Sequence, residues 1–518
     1  MQVVPPITLN STEGTFTRAG TTATFIGSNG LLQTADANVL RTTYDPVTLE
    51  CLGTLIEPAA TNLLLNTAAP VNQPITTTAQ TYTLSFYGSG TVTLTTSAAG
   101  VLVGSSTAAR STLVFTATAG TLNVAFSGTV TYPQIEAGLV ATSYVVSTGS
   151  AGVRNADVFT GTAPALCYSD AADIPFGHAI AAWVSSNAYS AGTSVYRATT
   201  NCIYRCIKDI TAASIPSLTT PEISITQEIP YWTQVDAVNW NSGTTYTFTT
   251  GEAKLVNYNK KLYQLIATTT VNTTLPSSTS PNYWVEAGPS NRWASFDLLR
   301  NSATKGRTQV TIVLKTGIRA DTAVLVGMKG VRNAIITVYS AAGGGTLYTL
   351  NKDLTDRDSM SWYDYFFNPI VTRGSAVFAY LPPFTDALVS ITLLGNDIEL
   401  GGIIIGKAIF LGSVQRGIRS DAINFSSVSR DIFGNATMIQ RRSIPKVDMT
   451  LYADTALVNT IRAARTQLNA VPAAWIGLED VLDQPYFETM LVIGFYKNFT
   501  INIDNPINIL VNLELEEI

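Results

Sequence analysis

Cys202 and Cys206 stand four residues apart in "NCIYRCI". In an extended segment that spacing puts both thiols on one face, which suits metal binding or redox work. A zinc site needs two further ligands, and no Cys or His lies near enough in sequence to supply them, so packing is the expectation. His178, in "PFGHAIAAW", is the one histidine of the 518-residue chain. Alone it cannot build a His-rich site, and a satisfied side chain at a domain junction is expected there. Asp353, Asp356 and Asp358 form an acidic loop that could hold a cation. Lys352 and Arg357 are interleaved with them, which favours a solvated loop. Carboxylate pairs for glycoside hydrolysis can be far apart in sequence, but the chain offers few candidates. It shows no Gly-rich phosphate loop, GxSxG elbow or HExxH motif. The expectation is therefore a non-enzyme, with no catalytic residues, no metal and no cofactor.

The aromatic residues give a sharper signal. Two stretches repeat one pattern of Trp, a Tyr-containing strand, a Gly turn, a second strand ("IYRCI" or "LYQLI") and a closing Tyr-Trp. Trp183, Tyr189, Tyr204 and Trp232 of the first match Trp240, Tyr246, Tyr263 and Trp284 of the second. Exposed Trp and Tyr rings can stack on the apolar C–H faces of sugars. Trp183, Tyr189, Tyr204, Trp232, Tyr263 and Trp284 are thus candidate glycan-binding residues. The same rings are equally the material from which a fifty-residue module would make its core. Both roles remain open.

These residues need a scaffold, and the composition says which kind. Hydrophobic residues make up 46% of the chain and charged residues only 13%. Thr, Ser and Asn meet much of the polar need, and 37 Gly mark frequent turns. Such a mixture favours strands. In "TYTLSFYG" Tyr82, Leu84 and Phe86 fall on one face and Thr81, Thr83 and Ser85 on the other, the period of a half-buried strand.

The fold expected is mostly all-β: multidomain β-sandwiches or jelly rolls, two small β-modules in the middle, and a C-terminal α+β domain with one helix. The divisions are an N-terminal sandwich at 1–150, a linker at 151–178, tandem modules at 179–236 and 237–290, a sandwich at 291–412, and an assembly domain at 413–518. The helix is expected over 454–469, where Leu457, Ile461, Ala464 and Leu468 recur at helical spacing. Asp454 offers an N-cap and Pro472 ends the run. "GGIIIGKAIFLG" is too short to span a bilayer and reads as a strand pair buried on both faces. The net charge of -5 argues against nucleic acid as a partner. The N-terminus lacks the features of a signal peptide, and four cysteines make no disulfide framework, which fits synthesis in a reducing cytosol.

"CLGTLIEPAATNLLLNT" has no place in any catalytic scheme. It reads as architecture, a connection that buries Leu63 and Leu65 and holds Glu57 through backbone donors. The longer stretch "RTTYDPVTLECLGTLIEPAATNLLLNT" resembles a segment found in structural proteins of tailed bacteriophages. There a Tyr-Asp-Pro turn precedes a "GxLIEPxxTNLL" strand and hinge. "YPQIEAGLVATSYVVST" resembles the closing strands of the same sandwich modules. The repeat resembles small chitin-binding carbohydrate-binding modules, although the second copy replaces "YSAG" with "YTFTTG". "NRWASFD", "SRDIFGNATMIQRRS", "VPAAWIG" and "IGFYKNFTINI" resemble the C-terminal half of phage virion proteins.

The resemblance implies a structural component of a tailed-phage virion, in the tail apparatus: baseplate, collar or fibre. It would be made in the host cytoplasm and serve assembly and attachment to host-surface glycan. Its partners would be other virion proteins and copies of itself, with no transmembrane segment. The alternatives are a glycan-binding lectin or adhesin, a capsid decoration protein and, least favoured, a polysaccharide-degrading tailspike. The mean hydropathy of +0.20 is high for a soluble chain, which implies apolar surface that meets protein. The C-terminal domain is the expected contact.

Overall fold

The computed structural model describes residues 1–6, 15–160, 165–169, 180–212, 220–221, 230–247, 254–266, 276, 283–299, 302–340, 346–356, 362–363, 371–430, 433, 435–439, 441, 443–478, 487–503 and 507–518. The chain is an all-β assembly of several sheets. The longest helix among the described residues is Val458–Gln467.

The N-terminal sandwich packs a four-stranded sheet (in spatial order Gly100–Val103, Thr91–Thr96, Gly120–Ser127, Gln73–Thr77) on a three-stranded one (Ser106–Ala117, Gln80–Gly88, Thr131–Ala137). Tyr82, Leu84 and Phe86 enter the shared core, as their alternation predicts. Thr83 and Ser85, on the opposite face of the strand, are buried too. That face is covered by polar neighbours. Thr83 donates to the Gly138 carbonyl (2.8 Å), and Arg110 Nη2 donates to Ser85 Oγ (2.8 Å).

The second sandwich, around residues 304–406, pairs a sheet centred on Leu388–Leu400 with a three-stranded sheet of Ala376–Phe378, Thr322–Val326 and Gly402–Gly406. Gly402–Gly406 is buried throughout, whereas the following Ile409–Phe410 is half-exposed. Only the first half of "GGIIIGKAIFLG" is therefore buried on both faces.

The C-terminal part is an eight-stranded sheet with the helix laid against it. Asp454 Oδ1 accepts from the Ala456 N–H, and a 3-10 turn (Thr455–Leu457) leads into the helix. The helix sets Ile461 and Ala464 on the sheet, and Leu468 at its C-cap is buried beside them.

Two expected boundaries differ. Gln2–Val4 is not part of the N-terminal sandwich. It pairs with Ile409–Phe410 and with Ala473–Ile476, and so is a strand of the C-terminal sheet. Val3 joins the core around Trp475, and Val4 joins a cluster with Val324, Ile404 and Ile493 that seals the second sandwich to the C-terminal sheet. The segment 151–178 is not simply a linker either. Gly152–Arg154 pairs with Ala60–Asn62, Val158–Thr160 with Thr15–Thr17, and Ala165–Ser169 with Gln309–Lys315. Its small and polar residues look like loop, but its strand partners lie far away in sequence and local composition cannot reveal them.

Candidate functional site

The repeat folds as two small sheets that share a register. Cys202–Cys206 pairs with Trp232–Ala237, and Lys261–Leu265 pairs with Trp284–Pro289. Each pairing shifts by one residue just before its tyrosine, between Ile203 and Tyr204 and between Leu262 and Tyr263. The ring pairs correspond as well. Tyr189 meets Trp232 edge-on at 5.1 Å, and Tyr246 meets Trp284 edge-on at 5.6 Å. In each module the tyrosine hydroxyl accepts from a backbone N–H five residues upstream, that of Val184 or Asn241, at 2.8 Å.

This geometry assigns the candidate glycan residues to the interior. Tyr189, Tyr204 and Trp232 belong to the core of the first module, and Tyr263 and Trp284 to that of the second. Trp232 and Trp284 are each only 1% exposed. A ring sealed in a core has no face to offer a sugar, so an exposed platform of these five is not what the fold builds. The physical reason is size: a fifty-residue module has few large residues, and it needs these rings beside Val195, Ile210 and Leu265 to make a core. Trp183 is half-buried, and the Arg197 guanidinium lies 4.7 Å from its ring centre.

Cys202 and Cys206 are both buried in the first core. Burial pushes the Cys206 thiol up to about 11, and its Sγ–H donates to the Lys208 carbonyl at 2.9 Å. Among the described residues no group of three or more His, Cys, Asp or Glu could hold a metal ion. Asp353 Oδ1 accepts from the Thr355 N–H and hydroxyl, a local turn. His178 and Asp358 lie outside the described residues.

The densest grouping of charge is elsewhere, and it was not expected from the sequence. Arg18, Arg41 and Arg154 are buried with Glu57 and Asp157 inside the N-terminal part. Arg41 Nη2 bridges Asp157 (2.6 Å) and Glu57 (3.0 Å). Arg18 Nη1 holds the other oxygen of Asp157 (2.9 Å), and Arg154 Nη1 holds Glu57 (2.5 Å). Ser143 donates to Glu57 twice, from its N–H (2.7 Å) and its hydroxyl (2.6 Å). Backbone bonds close the ring: Asp157 N–H donates to the Glu57 carbonyl, and Glu57 N–H to Asp157 Oδ2, both at 3.0 Å. Burial pulls the Glu57 pKa up, but Arg154, Arg41 and the Ser143 donors outweigh it, so this carboxyl titrates below its ordinary range. Burial lowers the pKa of Arg18 and Arg154, against the pull of their carboxylate partners.

Glu57 is thus held by one backbone donor, one hydroxyl and two guanidiniums, not by backbone donors alone. The neighbouring leucines also differ from expectation. Leu64 is the fully buried one, Leu63 is half-buried and Leu65 is 37% exposed. The strand Ala60–Asn62 ends at Asn62, whose Oδ1 accepts from the N–H groups of Leu64 and Ile135. Beyond that point the strand alternation no longer applies.

The network joins the two stretches singled out in the sequence. Glu57 of "LIEP" binds Ser143 of "ATSY". Asn62 Nδ2 donates to the carbonyls of Pro133 and Val145. Thr67 Oγ1 lies 2.5 Å from the Tyr144 hydroxyl. Glu136 accepts from Gln134 (2.5 Å) and from the Thr142 N–H (2.8 Å) and hydroxyl (2.7 Å).

The same unit also reaches the second sandwich. Thr54 accepts from the Tyr339 hydroxyl through its carbonyl and from Ser390 Oγ (2.8 Å) through its own hydroxyl. Gln309 Nε2 donates to Thr42 Oγ1 (2.7 Å). Burial, followed by the nearby Asp157 and Glu57 charges, raises the pKa of Tyr339. With three arginines and two carboxylates paired and buried, this arrangement clamps segments together.

No protein-family model matches the chain, and no curated protein matches it. A solved structure with some likeness is a GH78 family rhamnosidase from Bacillus sp. GL1, at 12% identity and a TM-score of 0.19. The match covers 80% of this chain and 36% of that one, so the chain spans about a third of its length. The expectation of a non-enzyme is withdrawn, because this neighbour is a glycoside hydrolase. A TM-score so low gives no argument for activity either. No helix among the described residues is long and apolar enough to cross a membrane.

Proposed function

We propose that the protein is a structural component of a tailed-phage virion, in the tail apparatus at the baseplate, collar or fibre. The observation that carries this reading is the meeting of the two phage-like stretches in one network. Residues 41–67 and 132–148 each carry the resemblance independently. They interlock through Glu57–Ser143, Asn62–Val145 and Thr67–Tyr144. Resemblance in two segments that support each other is resemblance of a folded module, which chance composition does not supply. The multidomain β architecture supports the same reading.

In this reading the N-terminal module is a rigid fitting on the second sandwich. The aromatic modules are spacers or display elements, and the C-terminal sheet serves assembly. The test is negative-stain imaging of phage particles labelled with antibody to this chain. Label at the tail tip, collar or fibres supports the proposal. Label on the head surface favours a decoration protein, and absence from purified particles sinks the virion reading.

A further inference from the structure

Gln134 and Glu136 alternate along the strand Thr131–Ala137, so their side chains share one face. Gly138, at a φ of +122°, turns the chain back, and Thr142 returns beside both. Gln134 is fully buried and Glu136 is 2% exposed, while Thr142 is half-buried. A hydroxyl, a carboxamide and a carboxylate are thus collected in one place with little access for water. Arg110 Nη1 anchors the hydroxyl-bearing residue by donating to the Thr142 carbonyl.

Their hydrogen bonds assign each group a chemical part. Thr142 Oγ1 donates to Glu136 Oε2 at 2.7 Å, the contact of a nucleophile with its base. The same oxygen lies 3.5 Å from Gln134 Nε2, alongside the carboxamide. Gln134 Oε1 accepts from the Val145 N–H at 2.6 Å. That donor polarises the carbonyl carbon and is aimed where negative charge develops when the amide is attacked. Gln134 Nε2, the nitrogen that would leave, donates to Glu136 Oε1 at 2.5 Å and faces the Ser143 carbonyl at 3.4 Å. The carboxamide orientation follows from these partners, with its oxygen on a donor and its nitrogen on acceptors. One carboxylate therefore touches both the proton to be removed and the nitrogen to be protonated.

We propose that Thr142 and Gln134 join in an intramolecular ester. Thr142 Oγ1 attacks Gln134 Cδ while Glu136 takes the hydroxyl proton. The tetrahedral intermediate holds its negative oxygen on the Val145 N–H. Its collapse breaks the Cδ–Nε2 bond, Glu136 passes the proton to the nitrogen, and ammonia leaves. One C–O bond replaces one C–N bond, nothing is oxidised or reduced, and Glu136 ends as the carboxylate it began as. Loss of ammonia to solvent makes the step one-way, and burial shields the product from hydrolysis. The ester closes residues 134–142 into a covalent loop, fastening the strand to the segment that Glu57 and Thr67 grip by hydrogen bonds. It stands independently of where in a particle the protein belongs.

Mass spectrometry of the folded full chain, denatured and cut with trypsin at neutral pH, reads the bond. The peptide 111–154 holds both residues and has no internal Lys or Arg. It is expected lighter than its sequence by one ammonia, about 17 Da, the mark of the amide nitrogen displaced by the hydroxyl. Backbone breaks between residues 134 and 142 should release no separate fragments until hydroxylamine opens the ester and leaves a hydroxamate at Gln134. Thr142→Ser keeps the nucleophile and should keep the mass loss. Thr142→Val and Glu136→Gln remove the nucleophile and the base, and each should restore the full sequence mass. A wild-type peptide at full mass would overturn the proposal and leave the group as hydrogen bonding alone. So would a mass loss that survives Thr142→Val or maps to another residue. Wild type and Thr142→Ser decide the matter even where another variant fails to fold.

Discussion

The N-terminal module and the repeat modules solve one problem in opposite ways. Each contains segments too short to bury much apolar area. The repeat modules close around paired rings, Tyr189 on Trp232 and Tyr246 on Trp284. The N-terminal module has an apolar core in its sandwich, but the short strands beside that sandwich are held by ions, with three arginines and two carboxylates buried together. Aromatic packing is local and tolerant of solvent conditions. A buried ionic network is unforgiving, because removing one member strands the others. The second solution also fixes geometry, since each guanidinium reaches several acceptors at once. That suits a module that must hold one orientation against the second sandwich.

The difference can be broken from either side. The largest effect is expected from Arg41→Met, which keeps volume but leaves Glu57 and Asp157 short of a partner. A loss of about 5 kcal/mol is expected, at the upper end for a broken buried pair, measured by denaturant unfolding of the full chain. Trp232→Ala should cost about 3–5 kcal/mol through the cavity it leaves, whereas half-buried Trp183→Ala should cost about 1 kcal/mol. Equal effects for the two tryptophans would contradict their assignment to core and rim. Tyr339→Phe removes the donor to the Thr54 carbonyl and should cost about 1–3 kcal/mol. Its mark would be faster amide exchange in Cys51–Leu55 with the second sandwich unchanged.

The smallest effect is in pH. The folded pKa of Glu57 is depressed below its ordinary 4.5. Its contribution is therefore fully present above about pH 4.5 and is lost as pH falls through the folded value. The stability difference between wild type and Glu57→Gln should shrink below pH 4.5 and stay level from 5 to 8. A difference that grows on acidification would reverse the assigned sign.

What the sequence made legible follows from range. Tyr82, Leu84 and Phe86 announce their face because a strand repeats every two residues, and Ile461, Ala464 and Leu468 announce theirs at helical spacing. The internal repeat is legible because the two copies can be compared residue by residue, down to Tyr189 and Tyr246. Whether those rings faced in or out was not legible, since core and platform need the same residue types. The ionic network was missed for a different reason. Arg18 lies 139 residues from Asp157, Arg41 lies 116 from it, and Arg154 lies 97 from Glu57. No local period connects them. The available signal was scarcity: in a chain with 13% charged residues, an arginine inside "FTRAG", "VLRTTY" or "GVRNAD" is an anomaly. Gln2–Val4 was misplaced on the same ground, for nothing near it in sequence shows that its sheet lies four hundred residues away.

The central claim is that Glu57 and its partners act as one unit that locks residues 41–67 to 133–157. A double-mutant cycle tests it most directly, pairing Glu57→Gln with Arg154→Met and, as the contrast, with Trp232→Ala. The account predicts a coupling of about 1–3 kcal/mol for Glu57 with Arg154, and additivity within about 0.5 kcal/mol for Glu57 with Trp232. Additivity in both pairs, with all variants folded, would contradict it.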